Sequence, residues 1–459
     1  ANTGHNCKLD GNRDVASLTI NTGATIDGSG AKLSIKSEGN GSEGTEHYAL
    51  KNDGIIAGNL DLEFNYNAET AADFTGSSGN VRNVTINHAD ADVNQVGAAT
   101  MASLTITAGI YDAGNDGLIV TGATSVTGTL TCNSSTVSLG SGYTGGYGLQ
   151  GSGTVNFGTG TNTVGAINTN SPSGVTKTSG TITFNTQKTG SQSIGPNSTN
   201  SNTHFNFGTS TVNFDLSGGA GTTFGIEQHS GSSKTLTITA TTVNFKSNSY
   251  IYQNNTDTNI FKIIGALVID ASKTVTTYYD DSNDYGSKLE VTGDVTVNGI
   301  LNAYSASNPK PMDFGSLTIG GSGEYIATSG TTTITSEGDG SSGTNGYALM
   351  APTGAIFTHN GGTVSIDTDA TTVIYIQSAT NTFNDLIINN NGNRTQWDGT
   401  LTILGDLTVN ASDTFQADGA NNGLTVNGNV SVSGTLGFAS MAWAGAGEFG
   451  SLTIASGGT

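Results

Sequence analysis

Apolar residues fall on every second position over long stretches of this chain, with Ser, Thr, Asn or Asp filling most of the gaps. The pattern is sharpest in a thirteen-residue element that occurs three times, as Leu118–Leu130, Leu289–Leu301 and Leu424–Leu436, each reading L-x-V-x-G-x-x-x-V-x-G-x-L. A period of two belongs to a strand with one buried face and one wet face. The two glycines punctuate it as a turn or bulge would. One such piece cannot bury its own apolar edge, so its recurrence predicts units stacked on one another. No stretch carries the i, i+3, i+4, i+7 spacing of an amphipathic helix.

A larger repeat encloses the short one. Ser17-Leu-Thr-Ile20 returns as Ser316-Leu-Thr-Ile319 and as Ser451-Leu-Thr-Ile454. Ser17–Leu50 aligns without a gap on Ser316–Leu349 at an offset of 299 (316 minus 17), with 15 of 34 positions identical. Val84-Thr-Ile-Asn87 corresponds to Leu386-Ile-Ile-Asn389, and Asp313-Phe-Gly-Ser-Leu-Thr-Ile319 to Glu448-Phe-Gly-Ser-Leu-Thr-Ile454. The expected organisation is a polar segment over 1–16, a first repeat unit over 17–130, a middle unit over 131–301, and a second repeat unit with the start of a third over 302–459.

The middle has its own rhythm. Thr154-Val-Asn-Phe157, Thr181-Ile-Thr-Phe184, Thr211-Val-Asn-Phe214 and Thr242-Val-Asn-Phe245 put their phenylalanines 27, 30 and 31 residues apart (184−157, 214−184, 245−214). Such a period marks solenoids, propellers or arrays. It predicts one Phe per coil, stacked in register inside, with about 25–30 residues per coil. A surface ladder of aromatics serving as a carbohydrate platform is the alternative. Val426, Val432 and Leu436 are expected inside, and Ile260–Ile269, the most continuously apolar segment, is expected to be a buried strand.

Composition sharpens this into a fold class. There are 67 Gly, 5 Pro and 11% charged residues, against about 25% charged in ordinary globular domains. Thr, Val and Ile, which favour strands, supply much of the rest. The fold expected is all-β: an elongated parallel β-solenoid, or β-helix, built from stacked coils. Gly- and Asn-rich loops suit its corners.

The net charge is −21, from 15 Lys plus Arg against 36 Asp plus Glu. Nucleic-acid binders carry basic stripes, and none is present, so neither nucleic acid nor an anionic membrane is an expected partner. No apolar run approaches the ~18 residues of a membrane span, which argues against membrane insertion. Cys7 and Cys132 lie far apart and are expected to act singly. The chain opens at Ala1 without an initiator Met or an apolar leader, and Ser451–Thr459 reads as the first residues of a further repeat. The expectation is that one end is continued, by more chain or by a neighbouring subunit docked end to end.

Phe357-Thr-His-Asn-Gly-Gly-Thr-Val-Ser-Ile366, Thr382-Phe-Asn-Asp-Leu-Ile-Ile-Asn389 and Leu401-Thr-Ile-Leu-Gly-Asp-Leu-Thr-Val-Asn410 resemble the repeats of large β-solenoid surface proteins of environmental bacteria and of structural fibre proteins of marine bacteriophages. The resemblance covers most of 17–130 and 260–459. It implies a structural or adhesive protein, extracellular or on a virion surface, and brings no catalytic motif.

The six histidines form no close metal-ligand pair, G-x-S-x-G is absent, and the Gly-rich loops lack the helix and Lys of a phosphate loop. No catalytic residue is assigned. Three loops before the thirteen-residue elements share an aromatic followed by Asp, Asn and Gly: Tyr111–Gly117, Tyr279–Tyr285 and Phe415–Asn421. Asp280, Asp281 and Asp284 are the candidate Ca2+ ligands, since calcium takes six to eight oxygens. Turn formation explains the same residues without a metal.

The functional expectation is a non-enzymatic structural or adhesive solenoid of an extracellular appendage, a virion or tail fibre, self-associating end to end and meeting a cell-surface glycan. The alternatives are a bacterial or archaeal surface adhesin or filament subunit, and a polysaccharide-degrading tailspike.

Overall fold

Alternation at period two leaves each short strand with one apolar edge, and the computed structural model buries those edges by stacking parallel strands. It describes all residues except 1–5, 40–46, 68–70, 76–80, 170–173, 188–193, 197–201, 220–222, 229–233, 254–258, 278–286, 306–308, 339–345, 369–372, 379–381, 392–393, 420–421 and 438–446. The described chain is all-β, with no α-helix. Contacts divide it into two units, Ala1–Thr199 with Thr203–Gly225, and Asn200–Asn202 with Ile226–Thr459. Each unit is a parallel β-solenoid, the fold expected from the pattern.

In the first unit three faces carry ladders of inward residues. One runs Ile35, Phe64, Ile86, Ile106, Val126. Another runs Val93, Tyr111, Leu130, Val155, Val175. The third runs Met101, Val120, Leu139, Val164, Phe184, Phe214. All of these side chains are buried. Within the segment over 1–16, Asn6–Lys8 and Arg13–Val15 are strands, paired with Thr25–Asp27 and Lys32–Ile35.

The second unit repeats the design. Its longest ladder runs Ile238, Ile263, Val291, Phe314, Ile334, Ile366, Ile388, Val409, Val432, Ile454. Successive members stand between 20 (334−314) and 32 (366−334) residues apart. A second face stacks Val275, Leu301, Tyr325 and Phe357, the last in ring contact with Phe383 at 5.1 Å. A third stacks Val243, Leu267, Val295, Leu317, Leu349, Ile376 and Trp397.

The duplication reappears as pairing: Leu18 lies opposite Leu50, and Leu317 opposite Leu349. The glycines of the thirteen-residue element also find their reason. A Cβ on Gly122, Gly128, Gly293, Gly299, Gly428 or Gly434 would lie 2.2–2.7 Å from a carbonyl oxygen of the preceding rung. The element is not tied to one face. Leu289–Val291 belongs to the Ile263 ladder, whereas Leu424–Val426 continues the face of Leu401–Ile403.

Three expectations are corrected in the core. Phe157, Phe184, Phe214 and Phe245 are all buried, so they form no surface platform. They are not one vertical stack, however. Phe184 and Phe214 are in register, with centroids 5.7 Å apart. Thr154–Asn156 pairs instead with Val175–Thr176, so the column of Phe157 continues to Lys177. A 27-residue interval is one coil plus a change of face when the Phe157 column itself advances by 20 residues (177−157). Ile260–Ile269 is the second case. It turns a corner at Gly265, whose φ is +135°, and so serves two faces while leaving Ile264 exposed. Leu436, expected inside, is half-buried.

Candidate functional site

The rung at Gly447–Ile454 stands on Leu424–Val432. Its pairing reproduces an internal junction residue by residue. Val291, Asp294, Val295 and Val297 face Phe314, Ser316, Leu317 and Ile319. Val426, Asn429, Val430 and Val432 face Phe449, Ser451, Leu452 and Ile454. Both junctions carry a bulge and a side-chain clasp: Ser316 Oγ donates to Asp294 Oδ1 at 2.7 Å, and Ser451 Oγ to Asn429 Oδ1 at 2.6 Å. At the internal junction Leu317 is covered by Leu349 and fully buried. The last residues follow the same path, Thr459 N–H donating to Gly434 O and Leu436 N–H to Thr459 O.

Below Ser451 the clasp extends into a column. Asn429 donates through its backbone N–H (2.7 Å) and Nδ2 (3.2 Å) to Asp406 Oδ1, and Asp406 N–H donates to Asp385 Oδ1 at 2.7 Å. The first unit holds a counterpart: Ser103 Oγ donates to Asn83 Oδ1, and Asn83 Nδ2 to Asp61 Oδ1. Ser103-Leu-Thr-Ile106 is thus a further copy of the Ser-Leu-Thr-Ile element, missed by comparison of the long repeats alone.

Few cations serve the outer faces, and several are tied down. Arg82 binds Asp61 through Nε and Nη2 at 2.9 and 2.6 Å. Lys262 meets Glu290, and Lys288 meets Asp313. Burial pushes the Glu63 carboxyl up, but hydrogen bonds from Lys32, Asn87 and Ser34 outweigh it and hold the group at about 2.

A second outward feature is aromatic. Tyr347 and Tyr375 are paired across adjacent rungs, half-buried, with centroids 5.5 Å apart. Desolvation raises both hydroxyl pKa values, aided by Asp418 and, for Tyr347, Asp398. Asp398 accepts from Gln377 Nε2 at 3.0 Å, and Arg394 opposes the upward shift of Asp418. Two rings inclined at 50°, flanked by carboxylates and an amide, present apolar faces and polar edges together to an extended polar ligand such as a sugar.

Asp280, Asp281 and Asp284 lie outside the described residues. Of the loops sharing their form, Tyr111–Gly117 is described, and its oxygens have protein partners. Asp112 accepts from Gly114 N–H and Asn133 Nδ2, Asn115 from Ser134 Oγ, and Asp116 from Gly97 N–H. Among the described residues no group of three or more His, Cys, Asp or Glu is placed to hold a metal ion. Cys7 is exposed, while Cys132 is buried and its thiol pushed up to about 12 by that burial.

Comparison with protein-family models, with curated proteins and with solved structures finds no match to this chain.

Proposed function

We propose that the chain is a non-enzymatic, structural and adhesive shaft of an extracellular appendage, a virion fibre, and that it assembles end to end with further copies of itself. The observation that carries this reading is the repeated junction. The strand pairing of Val291–Val297 with Phe314–Ile319 recurs between Val426–Val432 and Phe449–Ile454, so like units already stack on one another within one chain. Head-to-tail contacts between like units propagate rather than close. The occupant that fits is a second copy of this chain, since Ser-Leu-Thr-Ile already carries a rung at Leu18 and at Leu317 within one copy. The outward Tyr347–Tyr375 pair supports the adhesive part, with a cell-surface glycan as ligand.

Light scattering and electron microscopy of purified chain over a range of concentration test the assembly. Rods that lengthen with concentration and are abolished by Leu452→Lys are expected. A monomer at all concentrations with protected amides over Gly447–Ile454 defeats it. Antibody labelling on particles and cells tests the location, where labelling of a cell surface alone moves the reading to an adhesin. Loss of glycan binding in Tyr375→Ala, with assembly intact, is the outcome expected for the adhesive face.

A further inference from the structure

Two inward columns of the first unit each contain one polar residue in an otherwise apolar run, and those two residues meet. The first column is Ala113, Cys132, Phe157, Lys177, Phe207, following the register of the strands beside it. The second is Leu118, Val137, Asn162, Ile182, Val212. Lys177 is 3% exposed and Asn162 0%. Lys177 stands one rung beyond Phe157 and reaches back so that its Nζ lies 2.5 Å from Asn162 Oδ1 and 2.5 Å from Gly160 O. Asn162 Nδ2 is held by Ser135 O at 3.4 Å.

From this geometry we propose that Lys177 and Asn162 are joined by an intramolecular isopeptide bond, a covalent staple between neighbouring rungs. Nζ lies no further than about 3.7 Å from the amide carbon, being 2.5 Å from its oxygen across a C=O bond of about 1.2 Å. That is close to the separation of a near-attack pair, for which effective molarities are very large. The neutral amine attacks Cγ and forms the Nζ–Cγ bond. The Cγ–Nδ2 bond breaks, one hydrogen passes from Nζ to the departing nitrogen, and ammonia leaves. No oxidant, reductant or cofactor is needed. Burial pushes the Lys177 amine down to about 8, against a smaller opposing effect of Cys132, so about a tenth of it is neutral at pH 7. The reaction occurs once per molecule, so even a slow rate suffices. It also removes the cost of a buried ammonium, since the product is a neutral amide.

The test is the intact mass of the denatured full chain. A loss of about 17 Da, the mass of ammonia, is expected, restored to the sequence mass in Lys177→Met and in Asn162→Ala. Because a succinimide at an asparagine loses the same mass, the chain is also digested with a protease that cuts between residues 162 and 177. Recovery of both segments as one branched species from the unsubstituted protein supports the bond and does not depend on any variant folding. An unchanged mass, both as purified and after prolonged incubation at pH 9, overturns it. So does a loss that persists in Lys177→Met.

Discussion

Replacing Phe184 by Ala removes a side chain that is 1% exposed, with ring centroids 5.7 Å from Phe214 and 6.1 Å from Phe207. Truncating a buried Phe costs about 3–5 kcal/mol in lost transfer energy and cavity. Each ring pair contributes about 0.5–1.5 kcal/mol of that. In a solenoid each rung contacts only its neighbours, so the loss should stay local. Amide exchange in Thr181–Phe184 and Thr211–Phe214 should therefore accelerate by roughly two to three and a half orders of magnitude, at 1.4 kcal/mol per decade, while amides of Lys32–Ile35 keep their protection. Coupling separates the observed arrangement from a single aromatic stack. A double-mutant cycle of Phe184→Ala with Phe214→Ala should give about 0.5–1.5 kcal/mol, and one with Phe157→Ala should give nearly none. Coupling of Phe157 to Phe184 as large as that of Phe214 would refute the assignment of these residues to different faces.

Two further predictions concern the rungs and their charges. Gly428→Ala should destabilise the second unit by about 1–3 kcal/mol through overpacking, since its Cβ would stand 2.4 Å from Gly405 O; Gly11→Ala, whose nearest neighbour would be an Arg13 side-chain atom at 3.8 Å, is the control, and equal melting of the two variants would contradict the close approach. Glu63 is depressed from its ordinary value to about 2 in the folded chain, so its stabilisation is present above about pH 4.3 and is lost as the pH falls toward 2, by at most about 3 kcal/mol; acid titration monitored by circular dichroism should show that slope, and Glu63→Gln should remove it.

What the pattern made legible was which side chains point inward. Alternation fixes parity, and parity is the same on every face, so Val426, Val432 and all four phenylalanines of the Thr-x-x-Phe segments are buried as expected. The face itself was not legible. Coil lengths vary as corners gain or lose residues, and a strand of period two looks alike wherever it sits, which is why Phe157 and Phe184 read as neighbours. The Lys177–Asn162 contact carries no motif, because two residues 15 apart (177−162) meet only through the register of adjacent rungs.

The serine and asparagine clasps of the second unit also have a direction. Ser451 gives its proton to Asn429, Asn429 to Asp406, and Asp406 to Asp385; beside them Asn410 gives to Asn389, and Asn389 to Asp367. Every proton in these columns is handed toward the earlier rung. One end of such a column offers acceptors and the other offers donors, as the two poles of a magnet differ. The donors and acceptors of these columns therefore give the stack a fixed sense along its rungs.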